Sequence, residues 1–172
     1  MCSVKQTNSD VAQRLVKMSD EALLLLRASL RAEMRKRGIA DSVGAVGEQW
    51  AIEHFRKTPG LPKLQLAPRG TKNVDALSRN GDRFSIKTVC EGSKTGTIYP
   101  EPYNRDNQLF EYVLIVKLAE NWSPESIHQL AWADFVRVCS WDKRMNAWFV
   151  AISGRTLGAA TVIFKKAKAP DG

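Results

Sequence analysis

Residues 73–88 read Asn73-Val74-Asp75-Ala76-Leu77-Ser78-Arg79-Asn80-Gly81-Asp82-Arg83-Phe84-Ser85-Ile86-Lys87-Thr88, two alternating runs on either side of an Asn-Gly pair. Such a pair between strand-like runs signals a hairpin, because both residues tolerate the positive φ of a tight turn. The runs predict strands over 74–78 and 83–89. Successive side chains of a strand point to opposite faces, so Val74 and Ala76 share one face, as do Phe84 and Ile86. A three-residue loop over Asn80-Gly81-Asp82 pairs even positions with even and odd with odd. Val74, Ala76, Phe84 and Ile86 then line a core, while Asp75, Leu77, Ser85 and Lys87 meet on the other face with Asp75 near Lys87. A two-residue loop would set Asp75 against Ile86, a poorer chemical pairing.

Outward from the hairpin, a strand is predicted over 64–67, and before it two helices. Ser19, Asp20 and Glu21 form an N-terminal helix signal for a run reaching Arg37, with Leu23, Leu26, Leu30 and Met34 on one stripe that predicts packing against a large surface. Ser42 caps a second helix over 43–57 that Thr58-Pro59-Gly60 stops. On it Glu48, Ile52 and Phe55 stand at i, i+4 and i+7, so an acid shares a face with apolar side chains. Residues 1–8 read as disordered, with a short helix starting near Ser9. After the hairpin, the segment from Cys90 to Asn107 carries Gly92, Gly96, Pro100 and Pro102 and reads as a functional loop. A short helix is expected over 106–111. Tyr112–Ala119 then reads as a central buried strand, followed by a strand over 127–132, a helix over 133–138 and strands over 147–152 and 161–164. No repeat or linker divides the chain. The expectation is a single α/β domain with a mixed central sheet flanked by helices. Residues 1–42 form an N-terminal helical extension, 43–118 the core, and 119–172 strands and a helix that complete the sheet.

The chain has 172 residues, 26 Lys and Arg against 18 Asp and Glu, a net charge of +8 and 44% apolar residues, the composition of one soluble globular domain. Its longest apolar runs, 22–26 and 112–116, fall far short of the roughly 20 residues of a membrane span. The N-terminus has no signal-peptide core, and Cys2, Cys90 and Cys139 have no disulfide or metal-knuckle spacing. A cytoplasmic protein without membrane attachment is expected. The charge is uneven: +3 over 1–46, zero over 47–136 and +5 over 137–172. Basic flanks attract polyanions, nucleic acid first among them. The same charges also suit a plain solvated surface, with Arg35, Lys36 and Arg37 complementing a helix dipole and Lys165, Lys166 and Lys168 in a tail.

A strand-borne Asp beside a strand-borne Lys, with a helix Glu nearby, supplies what a metal-dependent phosphodiesterase needs. Carboxylates hold Mg2+, and a lysine orients the attacking water or stabilises transition-state charge. The competing reading is a surface ion pair worth under about 1 kcal/mol. Other motifs carry less. Gly92-Ser93-Lys94-Thr95-Gly96 lacks the earlier glycine of a phosphate loop and reads as a mobile substrate-facing loop. His54 and His128 have no zinc spacing. Cys90 with His128 lacks an oxyanion signature, so Cys90 reads as structural. Trp141-Asp142-Lys143-Arg144-Met145-Asn146-Ala147-Trp148 interleaves aromatics and bases, either to stack on nucleic-acid bases or, as tryptophans more often do, to fill a core edge.

Gly47-Glu48 on a helix, Asn73-Val74-Asp75-Ala76 and Phe84-Ser85-Ile86-Lys87 together resemble the core of the PD-(D/E)xK nuclease superfamily, which includes many restriction and repair endonucleases. The resemblance spans residues 43–118 and implies a restriction-endonuclease-like order of helix, three antiparallel strands, helix and fourth strand. It implies that Asp75 is a metal ligand, that Lys87 is the motif lysine and that Glu48 supports the site. At Ser85 the sequence departs from the pattern, which has Asp or Glu there. Some restriction enzymes of the superfamily have Ser-x-Lys and recruit a downstream Glu; Glu101, fourteen residues after Lys87, stands at a similar separation, and Glu91 is a second candidate. The resemblance thus implies a Mg2+- or Mn2+-dependent DNA endonuclease with Asp75, Glu48 and Glu101 around the metal, and a homodimer where both strands of a duplex are cut. The alternative is a noncatalytic nuclease-fold module, binding nucleic acid or a protein partner, in which Ser85 marks lost chemistry.

Overall fold

The computed structural model describes residues 3–101, 104 and 106–167. Residues 1–2, Pro102 and Lys168 lie outside the described residues. The chain divides into two compact units, Met1–Asp41 and Ser42–Gly172, next to the expected edge of the helical extension. No helix among the described residues is long and apolar enough to cross a membrane.

The first unit is a helical pair, α1 (Ser3–Val16) and α2 (Asp20–Lys36). Helix α1 begins at Ser3, earlier than the expected start near Ser9. Ser19 caps α2, its Oγ accepting the Ala22 N–H at 3.3 Å, and Gly38 closes it at φ +66°, the left-handed conformation a helix C-terminus favours. The Leu23-Leu26-Leu30-Met34 stripe does not pack as expected. No residue of α2 is buried, and Leu30 is 57% exposed.

The second unit begins with α3 (Val43–Lys57), capped by Ser42 Oγ on the Ala45 N–H. There follow β1 (Leu64–Leu66), β2 (Ala76–Ser78), β3 (Arg83–Val89), β4 (Tyr112–Leu118) and β5 (Pro124–Ala131), then α4 (Trp132–Val138), β6 (Ser140–Asp142), β7 (Ala147–Phe149), α5 (Gly154–Ala159) and β8 (Thr161–Lys165). The six-stranded sheet has the order β1-β2-β3-β4-β5-β8, and β6 and β7 pair separately. It is mixed: β3 and β4 run parallel and the other neighbours antiparallel. The α/β class and the helix-flanked mixed sheet are as the sequence predicts; β6 and α5 are additions to it.

The two faces of the sheet bury different residues. Ala76, Phe84, Ile86, Leu114 and Val116 pack with Ala51 and Phe55 of α3. Val113, Ile115 and Leu130 pack on the other side with Phe110, Phe135 of α4 and Val150 near β7. Each large apolar side chain so buried contributes about 1.5–3 kcal/mol. β4 supplies both faces, and for that reason its sequence is a continuous apolar run.

The hairpin keeps the predicted parity in a register displaced by one pair. Ala76 faces Phe84 and Leu77 faces Arg83, and the Ser78 N–H bonds the Asp82 carbonyl at 2.9 Å. The loop is therefore Arg79-Asn80-Gly81, with Gly81 at φ +89°. The reason is Ser78, whose Oγ accepts the Asn80 and Asp82 N–H groups and donates to the Asp82 carboxylate at 2.7 Å. These bonds hold Asp82 in the ladder and exclude it from the loop. Glu111 fastens the start of β3 to β4, its carboxylate accepting the Arg83 backbone N–H at 2.6 Å and the guanidinium at 2.8 and 3.1 Å.

The crossover from β3 to β4 holds no helix among its described residues; 106–107 form only a turn and bend. Its backbone bonds the C-terminal chain instead: Thr95 N to Val150 O, Ile98 N to Trp148 O and Ile152 N to Ser93 O, at 2.7–2.9 Å. Over 92–100, Gly92, Gly96 and Pro100 disfavour a helix, and these strand-like bonds satisfy the backbone polar groups of that stretch.

α3 lies very close to β3. A methyl group on Gly47 would overlap Thr88 Oγ1, and that hydroxyl donates to the Gly44 carbonyl at 3.3 Å. Gly47→Ala should push the helix from the sheet and lower stability by about 1–3 kcal/mol. Urea denaturation checks this, and Gly44→Ala, with open space at its Cβ, should cost much less.

Candidate active site

Asp75 lies just before β2, where the chain bends away from the sheet. Its N–H still bonds the Phe84 carbonyl at 2.8 Å and its own carbonyl accepts the Ala67 N–H at 3.0 Å. Two residues earlier Asn73 takes φ +60°, a left-handed conformation that asparagine tolerates better than most residues. With the neighbouring strand turned away, Ile86 N–H has no backbone carbonyl opposite. Asp75 Oδ2 takes that place at 2.6 Å. The same oxygen accepts Ser85 Oγ at 3.3 Å and faces Lys87 Nζ at 3.7 Å. Asp75, Ser85 and Lys87 thus meet as the parity argument places them, with Ser85 nearest the acid because of the displaced register. Ser85 is fully buried, whereas the Asp75 and Lys87 side chains keep 26% and 20% of their exposure.

Glu48 reaches this group from α3. Gly47, Ala51 and Phe55 form the buried stripe of the helix, and Glu48 stands half-buried on its flank. Its carboxyl titrates above the usual carboxylate range, first through burial and then through the negative charge of Asp75, with Lys87 opposing. Glu48 and Asp75 line one cleft of about 290 Å³ with Val74 and the loop residues Leu66 to Thr71. Arg69 of that loop has no ion pair among the described residues. The loop is held by Thr71, whose Oγ1 and N–H both bond the Pro68 carbonyl. Sequence reasoning missed Arg69; the available signal was the Pro68-Arg69-Gly70 turn just before the motif.

Glu101 is half-buried in the crossover, and the nearby Tyr99 carbonyl accepts Asn73 Nδ2 at 3.0 Å. Among the described residues, no three His, Cys, Asp or Glu side chains gather into a metal-holding group. The cleft therefore joins two acids, Asp75 and Glu48, and Glu101 is not gathered with them. Glu91 instead adds its charge to those of Glu120 and Glu125 around Cys90. The Cys90 thiol is pushed up by burial and these acids and donates to the Ala119 carbonyl at 3.2 Å, the opposite of an activated nucleophile. His54 packs on Phe164. His128 is buried against Ser126 Oγ, its pKa pushed down by burial and by Lys117 and Lys165. Trp141 and Trp148 pack edge to face, and Trp148 continues onto Phe135 and Trp132, as a core edge requires.

Compared with known proteins, the chain matches no family model and no curated protein.

The donor set fits Mg2+. That ion binds through one or two carboxylates and completes its octahedron with water and substrate phosphate. Asp75 and Glu48 meet this minimum, and the mutual repulsion that raises Glu48 is what a cation between them would relieve. Glu48 also carries a stability consequence. A carboxyl whose folded pKa is raised stabilises the fold below its unfolded pKa and loses that contribution as pH rises through the folded value. Without metal, Glu48→Gln should therefore raise the urea midpoint at pH 7 and leave it unchanged near pH 3; equal midpoints at both pH values would refute the assignment.

Proposed function

We propose that the cleft between α3 and the β2–β3 hairpin hydrolyses phosphodiester bonds in DNA with Mg2+ or Mn2+, on a restriction-endonuclease-like core of the PD-(D/E)xK type. The observation that carries this reading is that Asp75 and Glu48 line one open cleft while Lys87 Nζ lies 3.7 Å from Asp75 Oδ2. Burial raises Glu48 there, and a perturbed acid in a cleft is a candidate functional group.

Each side chain has a distinct part. Asp75 and Glu48 would hold the metal, which polarises the scissile phosphate and lowers the pKa of the attacking water. Ser85 and the Ile86 N–H occupy Asp75 Oδ2 and so fix the direction of the carboxylate. Lys87, held by the same oxygen at 3.7 Å, orients the water or offsets charge developing on the phosphate. Arg69 contributes a phosphate contact at the mouth of the cleft, and the net charge of +8 favours a polyanionic substrate.

Ser85 and the two-acid cleft favour a second reading, a noncatalytic module of the same fold that binds nucleic acid. Both readings are tested by incubating supercoiled plasmid and single-stranded DNA with Mg2+ or Mn2+. Under the first, Lys87→Ala and Asp75→Asn each slow cleavage by about 100-fold or more. Asp75→Asn is preferred to Asp75→Ala because an amide oxygen can still accept the Ile86 N–H, whereas alanine leaves that donor unpaired at a cost of about 1–3 kcal/mol. Retention of DNA with no cleavage of any substrate supports the second reading. In either case Arg69→Ala should weaken DNA binding and reduce the slope of log affinity against log salt by about one. An unchanged slope removes Arg69 from the interface.

A further inference from the structure

Helix α2 carries apolar side chains on two sides, none of them buried. On one side Leu26 lines a groove of about 300 Å³ with Val11, Arg14, Leu15 and Met18 of the first helix and its turn. On the opposite side lie Leu24, Ala28 and Ala32, at the i, i+4, i+8 spacing of a single helix face. All three are exposed, and Leu24 is 64% so. A helix apolar on two sides is ordinarily covered on both. The unit Met1–Asp41 is also of the size, about 40 residues, at which folded units usually rely on a metal, disulfides or association.

The charges along α2 indicate what covers this face. Asp20 and Glu21 occupy its first turn and Arg35 and Lys36 its last. None of the four takes part in an ion pair among the described residues, whereas Arg31 and Arg37 are paired with Asp41 and Glu33. We propose that α2 pairs antiparallel with α2 of a second copy of this chain, about a two-fold axis at Ala28. Such an interface is isologous, so every contact occurs twice. Asp20 then faces the other chain's Lys36, Glu21 faces its Arg35, and Leu24 fits against its Ala32. Large side chains meet small ones, and acids meet bases at both ends. A parallel pairing would bring acid to acid and base to base.

The test is sedimentation equilibrium of the full chain up to about 100 µM, since association of this kind depends on protomer concentration. The wild type should sediment at twice the chain mass of 19.2 kDa. Leu24→Glu with Ala28→Glu should give the monomer mass with unchanged helix content by circular dichroism. Asp20→Lys with Glu21→Lys, and separately Arg35→Glu with Lys36→Glu, should each weaken association by tenfold or more, and an equimolar mixture of the two variants should restore it. A monomeric wild type at the highest concentration overturns the proposal. So does a dimer indifferent to charge reversal at one end, because that is the behaviour of a parallel pair or of a different face.

Discussion

The hydrogen bond from Ile86 N–H to Asp75 Oδ2 holds the candidate site together. A backbone donor in a sheet requires an acceptor, and at this point the neighbouring strand has turned away. A carboxylate in the place of a backbone carbonyl gives a shorter, charge-assisted bond, stronger than the one it replaces. One oxygen of Asp75 thus does structural work, which fixes the side chain beside the start of β2. Ser85 and Lys87 are on the same oxygen because they flank Ile86 on the opposite face of β3. The pleat alone brings them there.

The approach of α3 to β3 is the second constraint. It depends on the absence of a side chain at Gly47, and it brings a carboxyl from the helix toward a strand that already carries one. The resulting burial and repulsion raise the Glu48 carboxyl above the usual carboxylate range, which costs stability where the group is charged. Functional sites commonly retain such a cost, and stabilising substitutions there tend to diminish activity.

Much of this was legible in the sequence because it rests on local rules. Strand alternation gave the faces of the hairpin, the Ser19 and Ser42 caps gave the helix starts, and the unbroken apolar run at 112–118 marked the central strand. What was not legible depends on distant partners. The side chain of Ser78 decides the loop register, and no periodicity reports a hydrogen bond of that kind. The helix expected over 106–111 is absent, and Glu111 at its end bonds distant partners, its N–H donating to the Arg83 carbonyl and its carbonyl accepting the Trp132 N–H. The Leu23-Leu26-Leu30-Met34 stripe predicts a covering surface without saying that another stripe lies behind it. Glu101 was chosen by its separation from Lys87, and separation along a loop does not fix position in space. Arg69 escaped notice because an arginine in a polar turn looks like any solvated residue.

The bonds between the crossover and β7 have a bearing on how the chain folds. Thr95 Oγ1 accepts the N–H of Val150, 55 residues further on, so the segment joining the two parallel strands has no complete set of partners until the C-terminal part of the unit is present. During synthesis the hairpin with Asp75 and Lys87 can form early, from contacts close in sequence. The wall of the crossover beside it has to wait. Closing so long a loop carries an entropic cost that precedes any gain from its contacts, which makes the union of crossover and β7 a late event. The strands bearing Asp75 and Lys87 are then set before their surroundings are finished.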